Sequence, residues 1–145
     1  MCLNTYQKKP KKAHKDIKVY KVLEKMDCKD NVVKYKAPFF PNFLGNTDFY
    51  YYEPGKLHKP TRDGDEKKYW SIQPDITHPG VIRKVSEGWL HAYRREEDAK
   101  KHVYYNPPAG YDKKVIVKMI IPKGSEYYVN FNGSEIAADK LVWNK

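Results

Sequence analysis

Cysteine is scarce in this chain: Cys2 and Cys28 are the only two among its 145 residues. They match no metal-ligand spacing, and one disulfide between them would secure only the N-terminal stretch, so neither a disulfide scaffold nor a cysteine metal centre underlies the fold. They are read as reduced thiols. Long apolar runs are missing too. None approaches the roughly 18 residues needed to cross a bilayer, and Met1-Cys2-Leu3-Asn4 leads into lysines without the apolar segment of a signal peptide. The expectation is a chain that stays in a cytoplasm, with no membrane partner. No Gly-x-Gly-x-x-Gly and no Gly-Lys-Ser is present, so nucleotide binding would have to rest on side chains. The five histidines, His14, His58, His78, His91 and His102, form no His-x-x-x-His pair, and Ser71, Ser86, Ser125 and Ser134 lack a nucleophile-elbow context. No catalytic residue, metal ligand or cofactor is assigned.

Acidic residues are the other shortage: 18 Asp and Glu face 28 Lys and Arg, for a net charge of +10. Such a charge on a small domain creates a field that attracts polyphosphates and nucleic acid. Hydrophobic residues make up 40% and aromatic residues 14% of the chain, enough to build a core and to rule out general disorder. The length suits one domain. Lys8, Lys9, Lys11, Lys12 and Lys15 crowd the first fifteen residues, which are read as a basic flexible arm (1–15) preceding a single domain (16–145).

Along the domain the pattern is that of strands. Ile17, Val19 and Leu23 fall on one face of an opening strand and Tyr20 and Val22 on the other. Residues 37–52 alternate aromatics with Pro38, Pro41 and Gly45, which suggests loop and short strand. Residues 53–68 carry Pro54, Gly55, Pro60 and Gly64 among basic side chains and read as a solvated loop. Residues 81–85 and 88–93 read as further strands. Residues 94–102 switch to helix, with Glu96 to Lys100 and Glu97 to Lys101 in the favourable i,i+4 order. Val115 to Ile121 is a nearly continuous apolar run, as in a central strand. Tyr127, Val129 and Phe131 alternate before Asn132-Gly133, a two-residue hairpin signal, after which residues 135–138 and 141–143 return to the sheet. The fold class expected is α+β, strand-rich, with few short helices.

The order of these elements supports a resemblance. Val19-Tyr20-Lys21-Val22, then Gly88-Trp89-Leu90-His91-Ala92-Tyr93 with its helix carrying Glu97-Asp98-Ala99, then Val117 to Gly124 leading to Ala137-Ala138-Asp139-Lys140-Leu141-Val142, resembles small uncharacterised proteins of bacteriophages and gut Bacteroides. More distantly it resembles the ADP-ribosyltransferase fold, a split β-sandwich holding a nicotinamide dinucleotide between two sheets. That likeness implies a cleft beside the first and central strands and gives Glu135 as the candidate for the closing glutamate. The pattern departs from the family where Lys18 and Lys21 stand in place of a first-strand arginine, and His91-Ala92-Tyr93 in place of Ser-Thr-Ser.

His91 and Tyr93 share one face of their strand, and Arg94 and Arg95 follow at the helix start, where unpaired N–H groups and the dipole favour an anion. Lys18 or Lys21 would close the other side, and Tyr51 in the tyrosine-rich segment supplies a further stacking ring. The ligand-binding set is therefore His91, Tyr93, Arg94, Arg95, Lys18, Lys21 and Tyr51. The function expected is non-enzymatic binding of a small anionic nucleotide-derived ligand, of ADP-ribose type or a cyclic nucleotide immune signal, as a phage anti-defence sponge would do. The alternatives are an ADP-ribosyltransferase-like or NAD-cleaving enzyme, and a basic inhibitor of a host protein or nucleic acid. Homo-oligomerisation is left open.

Overall fold

The computed structural model describes residues 2–5, 9–27, 32–36, 51–59, 71–74, 82–85, 90–105, 113–130 and 132–144. Within them the chain is mostly β, with one short helix. The opening strand extends four residues past its apolar alternation, as β3 (Ile17–Asp27), and pairs antiparallel along its length with the apolar run, β10 (Lys113–Ile121). Met119 lies opposite Val19 and Val115 opposite Leu23, so the odd-numbered residues of both strands line one face. Val19, Leu23, Met119 and Ile121 are fully buried there, and Val115 and Val117 pack against them.

On the other side of this pair run β9 (Leu90–Tyr93), β12 (Glu135–Ala138), β11 (Glu126–Val129) and β2 (Lys11–Lys12), all antiparallel neighbours in that order. Beyond β10 lie β13 (Leu141–Val142) and β6 (Leu57–His58). Two further strands, β4 (Val33–Lys36) and β5 (Tyr51–Tyr52), branch from β3, while β1 (Cys2–Thr5), β8 (Ile82–Val85) and β7 (Ser71–Pro74) make a separate three-stranded sheet. The core lies on one face of the large sheet. There Leu90, Ala92, Ile136, Ala138, Leu141 and Trp143 join the residues above. The opposite face carries α1 (Glu96–Tyr105), which packs on β3, β9 and β10 through its buried Ala99.

Three sequence expectations change. Part of the stretch read as a free arm belongs to the large sheet: Lys11 and Lys12 pair with Tyr127 and Glu126. Ala13 is buried and exchanges two 2.8 Å backbone hydrogen bonds with Ser125 and Gly124, which tie this lysine-rich stretch to the edge of the sheet. The stretch read as a solvated loop contains β6, whose Leu57 and His58 pair with Val142 and Leu141 and whose His58 is buried. The Asn132-Gly133 signal is a turn, but not a two-residue one. The last pair is Val129 with Ile136, and Asn130 spans the connection through its side chain: Oδ1 accepts from the backbone N–H of Ser134 at 2.9 Å and of Glu135 at 3.2 Å. Gly133 takes φ +78 there, a backbone that side chains rarely adopt. The expected strand at 88–93 is described from Leu90 onward, and residues 37–50 and 60–70 lie outside the described residues.

Candidate functional site

Every residue of β3 from Ile17 to Lys25 has a partner in β10 on one edge. The other edge is divided. Tyr20 pairs with Tyr93 of β9, and Glu24 to Asp27 pair with Lys36 to Val33 of β4. Both strands therefore share the edge opposite β10, and among the described residues Lys21, Val22 and Leu23 have no ladder partner there. Continuing the β9 register would place His91 opposite Val22, but there β9 pairs, among the described residues, with β12 and not with β3. The sheet opens into a fork, with β9 as one prong and β4 with β5 as the other.

Lys21 stands in this fork. Strand alternation puts it on the core face with Val19 and Leu23, and only 6% of it is exposed. Its ammonium donates to the backbone carbonyl of His91 on the β9 prong. It also lies 5.3 Å from the centroid of the Tyr52 ring on the β5 prong, within cation–π range. Tyr52 is itself buried and sits 4.7 Å, centroid to centroid, from the His58 ring. Tyr35, paired with Tyr52, packs edge-on against Trp143 at 5.0 Å. No carboxylate pairs with Lys21 among the described residues, and burial pushes its amine down from an ordinary 10.5 to about 7. Loss of solvation thus favours the neutral amine.

The helix side of the same strands carries a second polar cluster. Tyr93, opposite Tyr20, hydrogen-bonds through its hydroxyl to Nδ1 of His102 at 2.8 Å. Glu135 pairs with Tyr93 across β12 and β9, and its Oε2 accepts from Asn130 Nδ2 at 3.3 Å. Burial raises the Tyr93 hydroxyl well above its ordinary range, with Glu135 and Asp98 adding to the effect, and burial also raises the Glu135 carboxyl. His102 is lowered, first by burial and then by the positive charges of Lys114 and Lys21.

The residues expected to form one ligand site are thus distributed over two faces and one rim. His91 and Tyr93 do share a face, the helix side, as alternation requires. Lys21 points to the opposite face and meets His91 only through the latter's carbonyl. Lys18 lies exposed on the helix-side face of β3, so the register assigns the inward position to Lys21. Arg94 is exposed and its Nη1 donates to Gly133 O at 3.4 Å. Arg95 is taken up by Asp98, Nε to Oδ2 at 2.9 Å, and Glu96 and Glu97 complete an acidic first turn. The helix start is thereby supplied with negative charge by the chain itself, which opposes a bound anion. Tyr51 pairs with Lys36 through its backbone, and its side chain lies outside the described residues. Tyr52, one residue on, is the ring that reaches Lys21. The sequence marks Tyr52 only as part of the tyrosine-rich segment and His58 only as a basic loop residue, because a two-residue strand leaves no periodic signal.

Among the described residues, no group of three His, Cys, Asp or Glu side chains is placed to hold a metal ion, and no helix is long and apolar enough to cross a membrane. Compared with protein-family models, curated proteins and solved structures, the chain matches none.

Proposed function

We propose that this chain is a non-enzymatic binding protein for a small anionic ligand of nucleotide type, an ADP-ribose derivative or a cyclic nucleotide signal, and that the fork receives the ligand's anionic group. The observation that carries this reading is Lys21. An ammonium in an apolar core lowers stability unless it is paired, and a methionine of similar length would fill the same space without that penalty. Of the three N–H donors of the protonated amine, one goes to His91 O, which leaves two for the oxygens of a phosphate or carboxylate. The Tyr52 ring beside it, His58 against that ring, and the Tyr35–Trp143 pair on the neighbouring strands are groups of the kind on which a base stacks. The net charge of +10 favours encounter with any such anion. In that reading the protein removes a signal from solution without altering it, as a phage sponge against host immunity would.

Native mass spectrometry of the wild-type chain and of Lys21→Met, each purified from cells, tests the proposal. The wild type is expected to carry an anionic small molecule that is released intact on denaturation and is missing from the variant. Incubation with NAD separates this from the enzymatic alternative: nicotinamide release would assign a reaction instead of sequestration.

A further inference from the structure

We infer that the fork also supports covalent chemistry: the Lys21 amine condenses reversibly with the aldehyde of a small anionic carbonyl compound. This deepens the proposed function and rests on the fork being its ligand site. Three features of the geometry suit the reaction. No carboxylate among the described residues pairs with Lys21 to hold it as a closed ion pair. The acceptor it does have, His91 O, fixes one N–H and leaves the lone pair of the neutral amine directed elsewhere, and that same N–H survives in the iminium product. The Tyr52 ring at 5.3 Å offers its negative face to the cation formed.

The step balances without an oxidant or a metal. The amine lone pair adds to the carbonyl carbon, one amine proton passes to the oxygen, and the resulting carbinolamine takes up a further proton and loses water. The product is a protonated imine, and hydrolysis returns both partners unchanged. Burial favours this use of the residue, since it keeps a large fraction of the amine neutral near pH 7. Exposed lysines at that pH are almost wholly protonated. A ligand carrying both an aldehyde and a phosphate would bond through the first, while the positive charge of the iminium attracts the second. A sugar phosphate in its open form belongs to this class, and so does the terminal ribose of ADP-ribose.

Pyridoxal phosphate, an anionic aromatic aldehyde, is the probe, with pyridoxamine phosphate as its counterpart lacking the aldehyde. The full wild-type chain is incubated with pyridoxal phosphate at about pH 7.5, trapped with borohydride and mapped by peptide mass spectrometry, where Lys21 is expected to label about tenfold or more faster than exposed Lys100 and Lys123. Labelling of Lys21 no faster than those two overturns the inference. Calorimetry with pyridoxamine phosphate reads the underlying anion site separately. If that compound binds while Lys21 stays unlabelled, the covalent step falls and the anion site stands. If Lys21 labels while pyridoxamine phosphate does not bind, the covalent step stands and the anion site falls.

Discussion

Lys21 donates a hydrogen bond to the backbone carbonyl of His91, and in doing so it spans the point where β9 parts from β3. One side chain thus ties a prong of the fork to its stem, and it is the side chain least suited to an apolar face.

That mismatch predicts a pH dependence with a definite sign. The folded-state amine sits at about 7 and the unfolded one at 10.5, so between these values the unfolded chain binds more protons and stability rises with pH. Below about 7 both states hold the proton and this contribution to the slope vanishes. Wild type should gain up to about 1.4 kcal/mol per pH unit inside the window relative to Lys21→Met. The variant should be the more stable protein at pH 7 and below, by about 1–4 kcal/mol. Two titratable groups are tied to it: His58, against the Tyr52 ring that faces Lys21, and His102, which feels the positive charges of Lys114 and Lys21. Both histidines are lowered by burial and act on the acid side, outside the window. Urea unfolding of both chains across the range checks it; parallel stability curves would show that Lys21 is solvated.

Ligand binding should draw a proton into the same group. An anion beside Lys21 favours the charged amine, so association above pH 7 takes up a proton and affinity falls as pH rises. Titration calorimetry in buffers of different ionisation enthalpy reads this directly. An uptake that is absent from wild type, or unchanged in Lys21→Met, counts against the fork.

The helix-side cluster makes a separate prediction. Tyr93→Phe removes the 2.8 Å hydrogen bond to His102 while keeping the ring, and should lower stability by about 1 kcal/mol. Because burial lowers His102, the unfolded chain protonates it first, and its share of stability is lost as pH falls through the folded value. His102→Gln should therefore reduce the loss of stability on the acid side.

Two glycines test the turns. Gly124 has φ +90 with open space around it, so Gly124→Ala measures backbone strain alone, about 1 kcal/mol. Gly133 has φ +78, and an added Cβ would meet Nη1 of Arg94 at 3.4 Å. Gly133→Ala should cost a similar amount and break the bond from Arg94, and Arg94→Ala in that background should add little. Thermal melts of the three variants decide it.

Residues 1–14 are also expected to matter. Deleting them removes the two backbone hydrogen bonds of Ala13 and its buried methyl, along with the pairing of Lys11 and Lys12. The midpoint of thermal unfolding should drop by several degrees, roughly 4 °C for each kcal/mol lost. An unchanged midpoint would show that this edge contributes nothing.

Much of the fold could be read from side-chain alternation. Ile17, Val19 and Leu23 mark one face of β3, Val115 to Ile121 mark its central neighbour, and Glu96 to Lys101 place the only helix among the described residues. The site was legible only in part, because it depends on register. Lys18 and Lys21 are the same residue type in the sequence, and only the pairing of Lys21 with Val117 and the parting of β9 show which one enters the fork. Tyr51 and Tyr52 are likewise indistinguishable until Tyr52 is paired with Tyr35. Charge at the helix start is visible in the sequence, but the bond from Arg95 to Asp98, three residues on, depends on side-chain geometry that the sequence does not show.

The most direct measurement is titration calorimetry of ADP-ribose and of a cyclic dinucleotide into wild type, Lys21→Met and Arg94→Ala at low and physiological salt. The account predicts that wild type binds at least one of them, that Lys21→Met weakens it about tenfold or more, the loss of one charge-assisted hydrogen bond, and that Arg94→Ala changes it by less than about threefold. A wild-type chain that binds neither, or an affinity lost with Arg94 and kept without Lys21, would contradict it.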